Sequence, residues 1–535
     1  MPGTLLRRAT VIDGTGAPRR TADVLLRGGR IAQIAPPGSL TAVEGAGVEE
    51  AAGLVLAPGF IDMHAHSDLA VLADPEHIAK IGQGVTCEVI GQDGIGYAPV
   101  DERIAGAVRR QIAGWNGQPG LELDWRDMAG FLDRLSYGTA TNTAVLVPQG
   151  NLRLLTVGAA DRPADAAELA DMRRILDESL AAGAVGMSSG LTYAPGMYAD
   201  TAELTALCEI VAAHGGFFAP HTRSYGAGAL EAYAEVIGIA RETGCALHLA
   251  HATLNFPSNA GAAPRFLEMV DQALADGVDI TMDSYPYLPG ATTLVALLPS
   301  WIAGGGVDAL RDRLAAGRDR DALVRALDID GCDGFHGERA DWSRIQISGV
   351  GDPALRALVG RTIADIAQET GEAPVDAVIR ILLADDLATG VLMHIGHEEN
   401  VQAIMRHPVH TGGSDGILVG DRPHPRSWGA FPRYLARYVR DLGVLSLEEA
   451  IRHLSGTPAR RLRLHERGLV REGWIADLVL FDPERIQDRA TFEHPRRIAD
   501  GIRAVWVGGE LAVEEGRRTG SLSGKSLRAT DEGTR

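Results

Sequence analysis

Short apolar runs alternate with helical patterns along most of the chain. Seven of these runs read as short buried strands, at 84–91, 141–150, 183–190, 215–222, 245–253, 277–287 and 410–416. The run VLAPGFIDM (55–63) predicts one more buried strand ahead of them. Strand–helix alternation over about 400 residues predicts a parallel α/β fold, and a (β/α)₈ barrel fits that length best. A doubly wound sheet is the alternative, but no glycine-rich fingerprint follows the first strand.

Helix signals lie between several of these runs. The segment 164–183 has a helical pattern that ends at a glycine, a common C-terminal stop. Asp200 with Glu203, and Ser446 with Glu449, have the spacing of a capping box at the start of a helix.

The two ends of the chain resemble each other. Each carries a pair of β-rich runs joined by two glycines, Gly28-Gly29 and Gly508-Gly509, which is a hairpin signal. We predict that residues 1–57 and 466–520 form one small β-sandwich domain, with ADLVLFD (476–482) as a further strand. Residues 58–465 then form the barrel, with an inserted helical segment around 300–350 over its mouth. Residues 521–535 are predicted to be a loosely ordered polar tail.

Composition narrows the class of protein. Apolar residues make up 45% of the 535 residues and charged residues 23%, as in soluble globular proteins. A net charge of −19 argues against nucleic acid and anionic membranes as partners. The four cysteines are widely spaced and no run approaches a membrane span of about 18 apolar residues, so we expect a cytoplasmic protein with reduced thiols. The sequence leaves a homo-oligomer open.

The chemistry of the chain begins at GFIDMHAHSD (59–68). Residues i and i+2 of an extended strand share a face, so His64 and His66 can aim two imidazoles at one metal ion. Two unrelated surface histidines are the alternative. In a barrel, functional residues belong at the C-terminal ends of the strands. Asp93, His221, His251 and Asp415 each fall at or just past a predicted strand end, as His64 and His66 do. His248 lies on the opposite face of its strand from His251 and is expected to be packed.

Each candidate carboxylate ligand has more than one interpretation. Asp415, in GGSDG, can bind a metal ion and also accept a proton from water, or it can simply cap a glycine turn. The chain has two lysines, Lys80 and Lys525, and neither ends a strand, so a bridging carbamylated lysine is not expected. EVIGQDG offers Glu88 in mid-strand and Asp93 just beyond it as the remaining ligand. We favour Asp93 because it lies at the level of the other candidates.

With these residues in view, the chain resembles the amidohydrolase superfamily and, within it, the N-acyl-D-amino-acid deacylases. The resemblance covers nearly the whole chain and includes SSGLTYAPGMY (188–198), PHTRSYG (220–226), HLAH (248–251), DSYPY (283–287) and HPRSWGAFPRYL (424–435). It implies one or two Zn²⁺ ions per chain, and hydrolysis of a small N-acyl-D-amino acid to a carboxylate and a free D-amino acid. The residues it implicates are His64, His66, His221 and His251 as zinc ligands, Asp415 as catalytic group, Arg426 on the substrate α-carboxylate, and Tyr193 and Tyr285 in the pocket.

Two departures from the family pattern affect that expectation. Asp93 stands in GQDG where the family has a cysteine ligand in GNCG, and Thr253 stands where members often have a lysine. The second change favours an apolar amino-acid side chain over an acidic one. A hydrolase of cyclic amides or small peptide-like conjugates is the alternative, and a non-catalytic scaffold protein of the same fold is a remote one.

Overall fold

A parallel barrel forms the centre of the molecule in the computed structural model, which describes residues 3–40 and 45–529. Within these ranges each strand of an eight-stranded sheet pairs in parallel with its neighbours. In chain order the strands are β1 (Phe60–Asp62), β2 (Val85–Ile90), β3 (Asn142–Pro148), β4 (Gly186–Gly190), β5 (Phe217–His221), β6 (Ala246–Leu249), β7 (Ile280–Ser284) and β8 (His410–Gly412).

The sheet closes between its first and last strands. The Met63 amide donates to the Gly412 carbonyl over 3.1 Å, and Ala65 forms a parallel bridge with Gly416. Each of the seven later apolar runs contains one of the observed strands. The predicted barrel fold is therefore confirmed.

The run 55–63 is the exception, because it forms two strands and not one. Val55–Pro58 pairs with the C-terminal strand Leu478–Phe481, and β1 begins only after Gly59. A Cβ at Gly59 would lie 2.3 Å from the Thr86 side chain. Glycine at this point therefore lets the chain cross closely from one sheet to the other.

The second sheet is built from both ends of the chain, and nine strands of the described residues belong to it. Its hairpin turns are those predicted, with φ of 60° and 80° at Gly28-Gly29 and 59° and 79° at Gly508-Gly509. The sheet curls so that the two turns touch, and one apolar core fills the space inside it. The strands are Gly3–Val11, Arg20–Arg27, Arg30–Ala35, Ala46–Glu50, Val55–Pro58, Leu478–Phe481, Ile502–Val507, Glu510–Glu514 and Arg517–Arg518.

An inserted unit covers the mouth of the barrel between β7 and β8. Three antiparallel strands, Gly290–Thr293, Gly390–Met393 and Ile345–Gly349, run side by side and share a separate apolar core with the helices around them. The unit is thus larger than the helical segment expected at 300–350. Its α-helices are Ser300–Ala303, Val307–Ala316, Arg320–Val324, Ile363–Thr370 and Pro374–Ala384.

The remaining helices surround the barrel. Asp200 and Ser446 accept hydrogen bonds from the first turns that follow them, so these two predicted N-terminal signals are used, and Asp165 caps the helix Ala166–Ala181 in the same way. The main barrel helices are Ala105–Gln111, Met128–Leu135, Gln149–Thr156, Ala166–Ala181, Thr201–Ala213, Ala229–Thr243, Ala263–Ala275, Glu398–Met405, Arg426–Arg433, Leu447–Ile451 and Thr457–Arg461. No helix within the described ranges is both long and apolar enough to cross a membrane.

The C-terminal segment is packed, contrary to the prediction of a loose tail. The Gly524 amide donates to Thr139 over 2.8 Å, the Leu527 amide donates to Thr143 over 2.7 Å, and Leu527 is buried. Residues 530–535 of the predicted tail lie outside the described part of the chain. Residues 521–529 therefore cover the barrel beside β3.

Candidate metal centre

Six buried side chains meet at the C-terminal end of the barrel. They come from the ends of five strands and are referred to here as the metal cluster: His64, His66, Asp93, His221, His251 and Asp415. Two groups within it bring their ligand atoms within 4.8 Å of one another, namely His64 with Asp93 and His251, and His64 with His66 and Asp415. The His221 Nδ1 and His251 Nε2 atoms are 3.0 Å apart.

Asp93 lies at the middle of this cluster and its two oxygens face different histidines. Oδ1 is 3.5 Å from His64 Nε2 and 3.4 Å from His251 Nε2. Oδ2 is 3.6 Å from both His66 Nε2 and His221 Nδ1. A carboxylate in this position can share its oxygens between two neighbouring ions.

Asp415 occupies the side of the cluster nearest β1. Its Oδ1 is 3.2 Å from His66 Nε2 and 3.9 Å from His64 Nε2, and its amide donates to the His64 carbonyl over 2.8 Å. The backbone pairing that closes the barrel therefore also sets the distance between Asp415 and the H-x-H pair.

The charges of the cluster perturb one another strongly. Burial alone would raise the pKa of Asp93 and of Asp415, but surrounding imidazoles lower the first, and Arg426 and His64 lower the second, to well below the usual range. Burial lowers the pKa of His64, yet the charge of Asp93 and the contact with Asp283 raise it to about 9. Such opposed shifts are typical of functional sites.

Three residues of the metal cluster have a strained backbone. Asp93, His251 and Asp415 have φ of 56°, 31° and 48°, in the left-handed region that costs non-glycine residues energy. Both ring nitrogens of His64 and the Oδ1 of Asp93 are buried and have no hydrogen-bond partner among the described residues. Buried unpaired nitrogen and oxygen donors that converge at 3–4 Å fit a divalent ion, and imidazole with carboxylate is a donor set that zinc accepts.

Glu88, the competing carboxylate, does not reach the metal cluster. It belongs to a second buried group, called the paired cluster: Asp62, His77, Lys80, Glu88 and Ser414. Glu88 accepts hydrogen bonds from Ser67 over 2.6 Å and Thr141 over 2.9 Å. Lys80 Nζ donates to Asp62 Oδ2 over 2.6 Å and to Ser414 Oγ over 2.7 Å. Lys80 thus lies below the metal cluster and ties the strands that carry it.

Arg426 begins a helix beside Asp415 and is completely buried. Its Nη2 is 2.9 Å from Asp415 Oδ1, and its guanidinium carbon lies 4.4 Å from the centre of the Tyr285 ring. Its three guanidinium nitrogens nevertheless form no hydrogen bond with any described residue. A buried cation with unused donors is a receptor for an anion.

Tyr193 lies across the barrel from Arg426. Its ring packs 4.7 Å from that of His221, and its hydroxyl is 3.2 Å from Thr292 Oγ1 on the inserted unit. Together with Tyr285 and every member of the metal cluster except His64, it lines a chamber of about 70 Å³ under the inserted unit. Two of the three residues expected at the substrate, Tyr193 and Tyr285, thus line the chamber, whereas Arg426 lies behind Asp415 and does not line it.

Three further residues of the site were not predicted from the sequence. Thr192 Oγ1 is 2.7 Å from His221 Nε2, and Asp283 Oδ2 is 3.8 Å from His64 Nδ1. Asp283 also binds His248 Nε2 over 3.0 Å, so His248 faces away from the chamber, as expected. His336 lines the chamber from the inserted unit. Asp283 had a usable signal, a carboxylate at the end of an apolar strand, but His336 comes from a loop with none.

Comparison with known proteins identifies the family. The model of the amidohydrolase family matches residues 47–513. The chain belongs to the amidohydrolase family. It is 34% identical to a D-aminoacylase of Alcaligenes xylosoxydans xylosoxydans over 98% of this chain and 97% of that one, and 36% identical to an N-acyl-D-aspartate deacylase of the same organism over 97% and 93%.

A solved structure extends that likeness to three dimensions. The structure of N-acyl-D-glutamate deacylase from Bordetella bronchiseptica, complexed with zinc and a phosphonate inhibitor that mimics the tetrahedral intermediate, superposes with a TM-score of 0.83. The two chains are 32% identical, over 98% of this amidohydrolase and 99% of the other. These matches confirm the resemblance read from the sequence motifs.

Proposed function

We propose that this amidohydrolase is a zinc-dependent deacylase that hydrolyses N-acyl-D-amino acids to a carboxylate and a free D-amino acid. The observation that carries the proposal is the pairing of two unsatisfied buried groups. In the metal cluster both ring nitrogens of His64 and the Oδ1 of Asp93 lack hydrogen bonds, and beside it the Arg426 guanidinium, whose Nη2 is 2.9 Å from Asp415 Oδ1, has unused N–H groups. A cation site next to an anion site suits an amide whose neighbouring carbon carries a carboxylate.

The metal cluster would hold one or two zinc ions. His64, Asp93 and His251 form one group of donors and His64, His66 and Asp415 form the other, and His221 joins the first through Asp93 Oδ2 at 3.6 Å. Zinc, when bound, supplies a Lewis acid that polarises the amide carbonyl and makes water acidic enough to ionise near neutral pH. Asp93 stands in place of the cysteine common in the family pattern and is a harder ligand than a thiolate, so we expect weaker zinc binding at the position it completes.

Asp415 is the proton carrier of the proposed reaction. Its carboxylate is held ionised at neutral pH by Arg426 and the imidazoles, so it can accept a proton from the attacking water. The same oxygen then returns that proton to the leaving amine nitrogen when the C–N bond breaks. One residue serves both steps because it lies between the H-x-H pair and Arg426.

Arg426 and Tyr285 would hold the α-carboxylate of the substrate. The guanidinium can present two parallel N–H groups to a carboxylate, and Tyr285 supports it from one face. Fixing the carboxylate and the carbonyl would orient the α-carbon, so the two enantiomers would direct their side chains to different walls of the chamber. The names of the relatives support the D-enantiomer.

Tyr193 is the proposed donor to the oxygen that gains charge during attack. The phenol is neutral at physiological pH, because burial and the charge of Asp93 raise its pKa strongly. It can therefore leave Thr292 and donate to the developing oxyanion. His221, directly beside it, keeps this donor next to the metal cluster.

The amino-acid side chain would meet an apolar part of the chamber. Leu297, Met393 and Ile395 of the inserted unit line it, and Thr253 stands where the family pattern often has a lysine. We therefore expect a preference for apolar side chains such as that of methionine over acidic ones. We also propose a cytoplasmic enzyme, because all four cysteines are free thiols, as is usual in reducing compartments.

The test is hydrolysis of N-acetyl-D-methionine and N-acetyl-L-methionine by purified protein, with zinc per chain measured on the same sample. We expect activity on the D-enantiomer alone and a loss of about 10³-fold in kcat for Asp415→Asn with zinc retained. Bound zinc without cleavage of either substrate would contradict the deacylase assignment and leave the metal site in place.

A further inference from the structure

A second, larger cavity opens beside the metal chamber. Its volume is about 240 Å³, and it lies between the helix Ala105–Gln111 and the start of the inserted unit. The surface is mainly apolar, with Ile112, Leu154, Val295, Leu298 and Leu310 among its side chains. A cavity of about 150 Å³ accommodates benzene, so this one has room for a chain of about eight carbons.

The cavity offers nothing that would bind a charged group. Arg110 and Asp308 are the charged residues among the described side chains that line it, and they pair with each other over 3.0 Å. Both are exposed to solvent, which puts them at the outer rim. The Gln111 side-chain amide is already bonded to the Ala194 carbonyl. An unpaired charge on a ligand would lose its hydration here without compensation.

The cavity and the metal chamber share a wall. Trp115, Thr192, Tyr193 and Ala296 line both spaces. The Trp115 ring also packs at a tilt against His66, at 5.6 Å between ring centres, and edge-on against Tyr193, at 4.7 Å. The apolar cavity therefore begins beside Tyr193, the residue assigned above to the developing oxyanion.

The barrel separates the two ends of the substrate. Tyr193 follows β4, whereas Asp415 and Arg426 follow β8, four strands away in an eight-stranded barrel. Besides its oxygen, the carbonyl carbon bears only the leaving nitrogen and the acyl chain, and these three atoms point in three different directions. Since the nitrogen must face Asp415 to receive its proton and the oxygen faces the Tyr193 hydroxyl, the acyl chain points away from both, along the wall of Trp115, Thr192 and Ala296 that the chamber shares with the apolar cavity.

Another cavity adjoins the metal chamber and is lined by more polar groups. A cavity of about 570 Å³ on the side of His424 shares Thr292 and Ile417 with the chamber. Asp352, Asp385 and the backbone of the inserted sheet line it. This polar space suits the entry and release of an amino acid, and it leaves the apolar cavity to the other product.

We propose that the apolar cavity binds the acyl chain of the substrate, and that this enzyme prefers N-acyl-D-amino acids with medium-length acyl chains, of about eight carbons, over N-acetyl compounds. The inference rests on the proposed deacylase function. Each buried methylene stabilises the bound acyl chain, so chain length becomes the main determinant of specificity.

The experiment compares N-acetyl-, N-butanoyl- and N-octanoyl-D-methionine with the wild type and two variants of one helix. Ala107→Phe fills the outer part of the cavity, because Ala107 lines it. Gly106→Phe adds the same ring at the exposed neighbouring position, where a Cβ meets nothing within 4 Å. Ala303→Phe fills the cavity from the inserted unit and replaces Ala107→Phe if that variant does not fold.

We expect kcat/KM of the wild type to rise at least about tenfold from the acetyl to the octanoyl substrate. Ala107→Phe should remove at least about tenfold of the octanoyl activity and leave acetyl turnover within about twofold, whereas Gly106→Phe should change neither. If the acetyl substrate is cleaved but kcat/KM does not rise for the octanoyl substrate, the acyl-chain assignment is wrong and the deacylase function stands.

A second series separates the acyl chain from the amino-acid side chain. N-acetyl derivatives of D-alanine, D-leucine and D-phenylalanine should respond equally to Ala107→Phe and to Gly106→Phe. If Ala107→Phe instead reduces turnover of D-phenylalanine selectively, the cavity holds the side chain and the proposal is wrong. If no N-acyl-D-amino acid is cleaved at all, the deacylase function itself fails.

Discussion

Two buried groups of charges lie next to each other in this barrel and are organised in opposite ways. The paired cluster joins Asp62, Lys80 and Ser414 through hydrogen bonds of 2.6–2.7 Å, and Glu88 lies 2.8 Å from His77 Nε2 and 3.6 Å from Lys80 Nζ. The metal cluster begins two residues later, at His64, and leaves ring nitrogens and a carboxylate oxygen without hydrogen bonds among the described residues. Ser414 belongs to the first group and Asp415 to the second.

The difference distinguishes the buried charges that stabilise the fold from those that can bind a ligand. A buried ion pair with its hydrogen bonds made is stable in place, and removing one partner is costly. A group of converging donors without partners costs stability unless something else binds. The paired cluster therefore fixes the seam between β1, β2 and β8, and the metal cluster uses that rigid seam to hold its ligands at 3–4 Å.

The largest effect is expected from breaking the paired cluster. Lys80→Met leaves Asp62 and Glu88 without their buried cation, so the free energy of unfolding should fall by about 3–5 kcal/mol. Lys525→Met is the matched control, because it changes the other lysine of the chain at an exposed position. Urea unfolding of both variants measures the difference. Equal unfolding midpoints would show that the paired cluster does not hold the seam.

Acid should weaken the same cluster in a defined pH range. Burial would raise the pKa of Glu88, but the charges of His77 and Lys80 lower it to about 2. A lowered carboxyl pKa stabilises the fold above pH of about 4.5, and that contribution of about 3 kcal/mol is lost as the pH falls toward 2. Glu88→Gln should abolish this part of the pH dependence, and the exposed Glu102→Gln should retain it in urea unfolding at pH 3 to 7.

Arg426→Lys tests whether Arg426, beside the metal cluster, binds the α-carboxylate of the substrate. Lysine keeps the charge but loses the two parallel donors, so KM for the N-acyl-D-amino acid should rise about 100-fold with a smaller change in kcat. Arg433→Lys is a close control: Arg433 also lies over a tyrosine, Tyr287, and pairs with Asp488, away from the chamber. Similar kinetics for both variants would exclude Arg426 as the carboxylate receptor.

Asp93→Cys is expected to give the smallest change, and it tests whether Asp93 is a zinc ligand in the metal cluster. It restores the thiolate found in the family pattern, which binds zinc more strongly than a carboxylate, so zinc affinity should rise about tenfold. Asp93→Asn should lower it. Competition with a chromophoric chelator measures both. If neither variant differs from the wild type, Asp93 is not a zinc ligand.

Part of the site could be read from strand ends alone. His221 and His251 follow apolar runs directly, and in a barrel that position leads to one rim, where the structure brings them within 3.0 Å of each other. The sequence could not distinguish Asp93 from Glu88 as the metal ligand equally clearly, since the two lie five residues apart in one segment. The structure separates them because the chain turns at Gly91 and Asp93, both at positive φ, after β2 ends.

Long-range contacts explain what sequence patterns missed. VLAPGFIDM has the composition of one strand, and it is divided between two sheets because Val55–Pro58 pairs with Leu478–Phe481 while Phe60–Asp62 pairs with β2. The segment after residue 520 is polar, as in a mobile tail, yet its backbone hydrogen bonds with Thr139 and Thr143 order it. His336 reaches the chamber because the inserted unit folds back over the barrel.

The sequence by itself determined the local choices of this protein. Alternating apolar runs, caps at Asp165 and Asp200, paired glycines in the hairpins and ligand-type residues at strand ends depend on neighbours within a few positions. The tertiary structure alone decided which buried charges are paired and which are left open, and where an apolar cavity meets the chamber. Those outcomes depend on the closure of β1 against β8 and on the seating of the inserted unit, which join residues hundreds of positions apart.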